Sequence, residues 1–160
     1  MNKLIALFVS ILLLPVLSSF AQPISRVPKI TMINMGGSDC RPCVNWRLFE
    51  LPKLQATEAF KAITFIHVEK TIGSTVPPRF FLPNEVKPLM ERLDIASGGI
   101  RGSPQIAILV NGEVYDYYFG ERSAIDVERM IVSILNSSVY PFERCIRRKS
   151  QGQCAEVGKP

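Results

Sequence analysis

The chain has 160 residues, of which 21% are charged and 47% hydrophobic, with 19 basic against 14 acidic side chains and a formal charge of +5. This is one ordinary domain of near-average composition, which excludes a disordered acidic tail, a collagen-like fibre and a multi-pass membrane protein. The mild basicity lacks the dense patch of a nucleic-acid binder, the single histidine, His67, excludes a His-rich metal site, and a chain of this length can fold without a metal.

Residues 1–21 (MNKLIALFVSILLLPVLSSFA) read as an address. Lys3 supplies a positive start, Leu4 to Leu17 form an apolar run, and Ser19 and Ala21 are the small residues that precede a cut after Ala21. The run is about 14 residues, whereas a spanning helix needs about 20. A secretory signal peptide is therefore expected, with an uncleaved membrane anchor as the alternative. No cysteine follows the run to carry a lipid. The rest of the chain is expected in an oxidising compartment, periplasmic or secreted, and the form of the signal suits a bacterial periplasm.

Pro28–Met35 is β-branched and apolar, ends at Gly36-Gly37, and reads as a buried strand. A long helix is expected from about Arg41 to Phe60, with Trp46, Leu48, Leu51, Leu54 and Phe60 on its apolar side and a kink at Pro52. Ala62–Val68 reads as a second buried strand. Residues 71–88 hold Pro77, Pro78, Pro83 and Pro88 and read as a loop or inserted elaboration, with a short helix over Glu85–Leu93. Pro104–Val110 is a third strand. Asn111-Gly112 is a strong hairpin signal, because both central residues of the favoured turn need positive φ. Glu113–Phe119 is then its antiparallel partner. Arg122–Ser137 reads as an amphipathic helix capped by Ser123, with Ile125, Met130, Ile131, Ile134 and Leu135 inward. The fold class is thus α/β, a central mixed sheet in the order β-α-β-α-β-β-α with flanking helices. The domain runs over 22–140, and a basic tail follows over 141–160.

Cys40-Arg41-Pro42-Cys43 follows a strand and opens a helix. A thiolate is the nucleophile of disulfide exchange, and a helix start favours negative charge. Cys40 is expected to be exposed there, and Cys43, one turn later, can attack a mixed disulfide and release the partner. Pro42 fits a helix start, whose first amides lack intrahelical acceptors. Arg41 adds positive charge beside Cys40 and Asp39 opposes it, so the net effect on the thiol is unsigned. Half a zinc site and an inert structural disulfide are the competing readings; zinc wants a second close pair of Cys or His, and Cys145 and Cys154 are nine positions apart. In an export compartment Cys145 and Cys154 are expected to form a structural disulfide closing the tail loop, worth about 2.5–3 kcal/mol. A second, regulatory redox pair is the alternative. No cofactor and no metal are expected.

From about Lys29 to Asn136 the chain resembles the thioredoxin-like superfamily. The Cys-x-x-Cys after the first strand, the segment Gly99-Ile100-Arg101-Gly102-Ser103-Pro104 before a strand, and the Asn111-Gly112 hairpin carry the resemblance. It implies that Cys40 is the nucleophile and Cys43 the resolving cysteine, with Arg41 and Pro42 tuning the pair. Pro104 matches a cis-proline facing the sulfurs, and Ser103 a residue whose backbone pairs with an extended substrate. From the residues alone, a trans proline starting a strand is equally allowed. The chain departs from thioredoxin proper at Asp39, where a tryptophan is usual, and at Asn34, where a buried acid is usual. An amide cannot take the proton of Cys43, which leaves His67 and Glu69 as candidates, although a lone strand histidine is more often structural. The resemblance implies an exported thiol–disulfide oxidoreductase, acting as reductase or isomerase on cysteine-containing exported proteins. A membrane thiol reductase would supply electrons, and nucleic acid plays no part. The alternative is a thioredoxin-fold binding or assembly module of an envelope complex, with a structural or vestigial Cys-x-x-Cys.

Overall fold

The structure, a computed structural model, describes residues 27–148 and 151–156, with side chains described through Arg144. The expected signal segment, residues 1–21, lies outside the described residues. Among the described residues no helix is long and apolar enough to cross a membrane.

Four strands form the central sheet, in the order β2-β1-β3-β4. β1 (Ile30–Met35) pairs in parallel with β2 (Ile63–Val68) on one side and antiparallel with β3 (Gln105–Val110) on the other. β4 (Glu113–Phe119) completes the sheet antiparallel to β3. The hairpin turn is as the dipeptide demands, with Asn111 at φ 53° and Gly112 at φ 85°. Asn111 also closes the sheet end: its N–H donates to Lys29 O at 2.8 Å and its Oδ1 accepts the Lys29 N–H at 3.0 Å.

Strand alternation sorts side chains to two cores. Ile30, Met32, Ile106 and Ile108 face the layer that holds Trp46, Leu54 and the last long helix, α5 (Ala124–Leu135). Ile33, Met35, Ala107 and Leu109 face the opposite layer, with Leu93, Ala96 and the Pro-rich segment's Val76, Leu82 and Val86. The expected mixed sheet with flanking helices is therefore the observed architecture. The Pro-rich segment is packed against the second face, yet its own Phe80 and Phe81 are 85% and 70% exposed.

The long helix after β1 is not continuous. It comprises α1 (Arg41–Asn45), a π-helical turn (Trp46–Glu50), α2 (Leu51–Gln55) and, after Thr57, α3 (Glu58–Lys61). Pro52 has no amide hydrogen for the carbonyl four residues back. The disruption falls just before it: Leu51 N–H reaches back five residues to Trp46 O. This extra residue turns the helix face, so Leu48, expected inward, is 62% exposed beside an equally exposed Phe49. Thr57 caps α3 by accepting the Phe60 N–H on Oγ1.

The short helix also differs from expectation. A 3-10 turn at Lys87–Leu89 precedes α4 (Met90–Ser97), and the helix ends at Gly98, whose φ of 61° closes it. Pro88 restricts the residue before it, so the regular helix starts beyond the proline. Ser123 does cap α5, accepting the Asp126 N–H. Ala124, Val127, Met130, Ile131 and Ile134 point inward, and Ile125, expected among them, is exposed because it lies one step off that stripe.

The tail backbone forms a two-stranded antiparallel hairpin, β5 (Cys145–Arg148) with β6 (Gln151–Glu156). The side chains of Cys145 and Cys154 lie outside the described residues, and so does their expected disulfide. Before the hairpin, Tyr140 and Phe142 pack on the first core. The Arg122 guanidinium stacks between the Tyr118 ring at 4.3 Å and the Phe142 ring at 3.8 Å. The Arg122 carbonyl accepts the Trp46 indole N–H at 2.8 Å.

Candidate active site

The turn from β1 into α1 carries the two cysteines, joined as a disulfide with Sγ–Sγ 2.04 Å and Cα–Cα 5.2 Å. Cys40 is the N-cap of α1, and its Sγ accepts the Cys43 N–H at 3.2 Å. A sulfur in this position meets an otherwise unpaired helical amide, the arrangement that stabilises a thiolate once the disulfide is reduced. Arg41 and Pro42 are exposed beside it. The expectation of an exposed Cys40 is corrected: Cys40 is 0% and Cys43 1% exposed. The cap geometry turns the Cys40 side chain back over the first turn. Asp39, by accepting the Ile72 N–H at 3.0 Å, also holds the start of the Pro-rich segment beside it.

Gly36 and Gly37 make the approach to the cysteines compact. A Cβ on Gly36 would stand 2.6 Å from Cys43 Sγ and 3.8 Å from Pro104 Cα, so the disulfide and the proline face one another across a bare backbone. A Cβ on Gly37 would collide with the Lys70 carbonyl and approach Asp39 Oδ1 to 2.7 Å. Arg47, on the π turn, clamps this pair: Nη1 donates to Gly36 O at 3.2 Å and Nη2 to Gly37 O at 3.5 Å.

The Ser103–Pro104 bond is cis, and Pro104 is buried at the head of β3. Its carbonyl accepts the Gly120 N–H at 3.0 Å. Among the described residues no backbone partner engages Ser103. The loop is held by two side chains that sequence reading did not single out. Gln105, fully buried, donates from Nε2 to Ile100 O at 3.2 Å and Gly102 O at 2.9 Å, and its Oε1 accepts the Tyr117 hydroxyl. Lys70, only 5% exposed, donates from Nζ to Ser74 O at 2.7 Å, Gly102 O at 2.6 Å and Ser103 Oγ at 3.1 Å. Burial pushes the Lys70 ammonium down to about 8, opposed by the Asp39 carboxylate. Neither residue stands in a recognisable sequence pattern.

A third group joins β1 to β2 through their parallel register, in which Asn34 lies opposite His67. His67 Nδ1 and Asn34 Oδ1 are 3.0 Å apart, and Nε2 lies 3.3 Å from Arg47 Nη1 and 3.3 Å from Glu69 Oε2. The network assigns the tautomer: Nδ1–H donates to Asn34 and the Nε2 lone pair accepts from Arg47. A protonated ring would donate to Glu69 instead. Glu69 Oε1 accepts the Ser38 N–H at 2.9 Å, and that bond holds its carboxyl below the usual range. The two candidates for taking the Cys43 proton are thus engaged with Asn34, Arg47 and Ser38. Among the described residues neither is hydrogen-bonded to Cys43.

A mixed sheet with β1 between a parallel and an antiparallel neighbour, a Cys-x-x-Cys opening the helix after β1 and a cis-proline before β3 define a thioredoxin-like fold. Solved structures similar to this chain bear related names. An oxidised thioredoxin from Plasmodium falciparum is 15% identical over 67% of this chain and 82% of its own, with a TM-score of 0.41. A thiol:disulfide interchange protein of the thioredoxin family from Chlorobium tepidum is 24% identical over 67% of this chain and 79% of its own, with a TM-score of 0.43. A DsbH oxidoreductase is 19% identical over 68% of this chain and 74% of its own, with a TM-score of 0.42. No family model and no curated protein matches the chain.

Proposed function

We propose that the protein is an exported thiol–disulfide oxidoreductase that exchanges disulfides with cysteine pairs of other exported proteins, as a reductase or isomerase. The observation that carries this reading is the Cys40–Cys43 disulfide at the start of α1, facing Pro104 across Gly36. In the reducing direction the Cys40 thiolate attacks one sulfur of a partner disulfide. That S–S bond breaks, a mixed disulfide forms, and the partner's other sulfur leaves as a thiolate and takes up a proton. Cys43, having lost its proton, attacks the Cys40 sulfur and releases the second partner thiolate. The partner is reduced by two electrons and Cys40–Cys43 is oxidised. An external dithiol must then restore the pair, and in an oxidising compartment a membrane thiol reductase suits that role. Ser103, with no backbone partner among the described residues, offers its main chain to an extended substrate, while Arg41 and Pro42 tune the pair. Cys145–Cys154 is read as structural.

The test is mixed-disulfide trapping with Cys43→Ser in the full-length chain. Stable adducts at Cys40, absent in Cys40→Ser, are expected. No adduct with any exported protein would reject the activity. Amino-terminal sequencing of the secreted fraction should find a start at Gln22. The exposed Phe80–Phe81 pair, with ring centroids 5.4 Å apart, favours a second reading as a binding module of an envelope complex. Partner capture that survives replacement of both cysteines would support that reading instead.

A further inference from the structure

Lys70 is a buried ammonium with no carboxylate in salt-bridge contact among the described residues. Burying such a charge is costly unless every proton finds an acceptor. Here all three do, and the acceptors belong to two different segments: Ser74 O in the Pro-rich segment, and Gly102 O and Ser103 Oγ in the loop before Pro104. Other charged groups nearby are few. Asp39 acts on Lys70 across space, Glu69 is committed to Ser38, and Arg41 and Arg101 are exposed.

The acceptor at Ser103 has a chemical consequence. An ammonium has no lone pair, so the Ser103 hydroxyl can only accept from it. The hydroxyl hydrogen must then point away from Lys70, and no protein acceptor takes it among the described residues. A neutral amine would reverse this, with two N–H groups for the two carbonyls and a lone pair for the Ser103 O–H.

We propose that Lys70 is a positioning residue for polypeptide substrates: it ties the Gly102–Ser103 loop to the Pro-rich segment and turns the Ser103 hydroxyl hydrogen outward as a donor to the incoming chain. This rests on the oxidoreductase reading and adds to it a residue that acts on substrate docking, with no part in bond exchange. Lys70 touches neither sulfur and acts through Ser103.

The experiment compares wild type, Lys70→Met, Ser103→Ala and the double variant, as full-length chains. Each reduces a disulfide-containing peptide and, separately, a small aromatic disulfide that makes no main-chain pairing. Lys70→Met should raise KM for the peptide by about tenfold, with kcat and the small-disulfide rate changed by less than about twofold. Adding Lys70→Met to Ser103→Ala should raise KM much less than it does alone. In wild type the peptide KM should rise as pH passes about 8, and in Ser103→Ala that rise should flatten; this comparison holds even if Lys70→Met does not fold. An unchanged peptide KM in a folded Lys70→Met, equal losses on both substrates, or identical pH profiles for wild type and Ser103→Ala would overturn the role of Lys70 and leave the oxidoreductase reading standing. A wild type inactive on both substrates would overturn both.

Discussion

Gly36→Ala adds one methyl group where the structure has no room for it. The new Cβ would stand 2.6 Å from Cys43 Sγ and 3.0 Å from Cys43 Cβ, about 1 Å inside ordinary contact. The backbone has little freedom to retreat, since Gly36 N–H donates to Val68 O and Gly36 O accepts from Arg47. Its φ is not in the positive range, so alanine meets no backbone objection and the penalty is steric. Overpacking of this kind costs about 1–3 kcal/mol. The penalty should differ between redox forms. In the disulfide, Cys43 Sγ is tethered to Cys40; in the dithiol it can rotate away, although Cys43 Cβ cannot. If about 1.4 kcal/mol of the cost is confined to the oxidised form, the disulfide becomes easier to reduce and the potential rises by about 30 mV. Equilibration with glutathione buffers reads the potential, and urea unfolding of each form reads the two penalties. Equal penalties with an unshifted potential would refute the tethered-sulfur argument. No penalty in either form would refute the packing of Gly36 against Cys43 and Pro104.

Three further outcomes follow from the same geometry. Lys70 holds its proton up to 10.5 when unfolded and releases it near about 8 when folded, so between these values the unfolded state binds more protons and stability rises with pH; wild type should gain on Lys70→Met across that window by denaturant unfolding, and a relative loss would show the charged form to be favoured by folding. Trp46→Phe removes the indole N–H from the Arg122 carbonyl and should cost about 1–3 kcal/mol in urea unfolding, whereas a neutral result would mean that the bond adds nothing net. Gln105→Leu strips donors from Ile100 O and Gly102 O and the acceptor from Tyr117, and a loss of more than about 2 kcal/mol is expected, with a smaller loss arguing that Lys70 alone holds the loop.

The strands of the sheet are readable in the chain because their signals are local. Ile106–Val110 is an unbroken apolar run, Asn111-Gly112 admits few alternatives to a tight turn, and Ser123 caps a stripe of period near 3.6. The helix after Cys40 was only partly readable. Pro52 marks where a hydrogen bond must be lost, yet nothing local dictates that the loss is absorbed as a π turn before it, so periodicity alone puts Leu48 on the inner face whereas the structure exposes it. Cys40 and Cys43 stand out by spacing alone, but their burial is a tertiary property: Cys43 packs against Gly36, with Pro104 close by. Lys70 reaches Gly102 and Ser103 from 32 and 33 residues away, and a single lysine after a strand carries no pattern. Asn34 and His67 meet because β1 and β2 align in one parallel register, which single-strand periodicity does not contain.

The stacking of Arg122 between Tyr118 and Phe142 makes the segment after α5 a stakeholder in the redox turn. Arg122 presents its side chain to that segment and its carbonyl to Trp46, only three residues beyond Cys43. A protease that nicked the chain between α5 and Phe142 would free one face of the guanidinium, and the slackened Arg122 would loosen its hold on the indole. Damage at the far end of the chain would thus be felt at the sulfurs without any direct contact. An expression boundary drawn at the end of α5, where the last long helix closes, would cut through this connection.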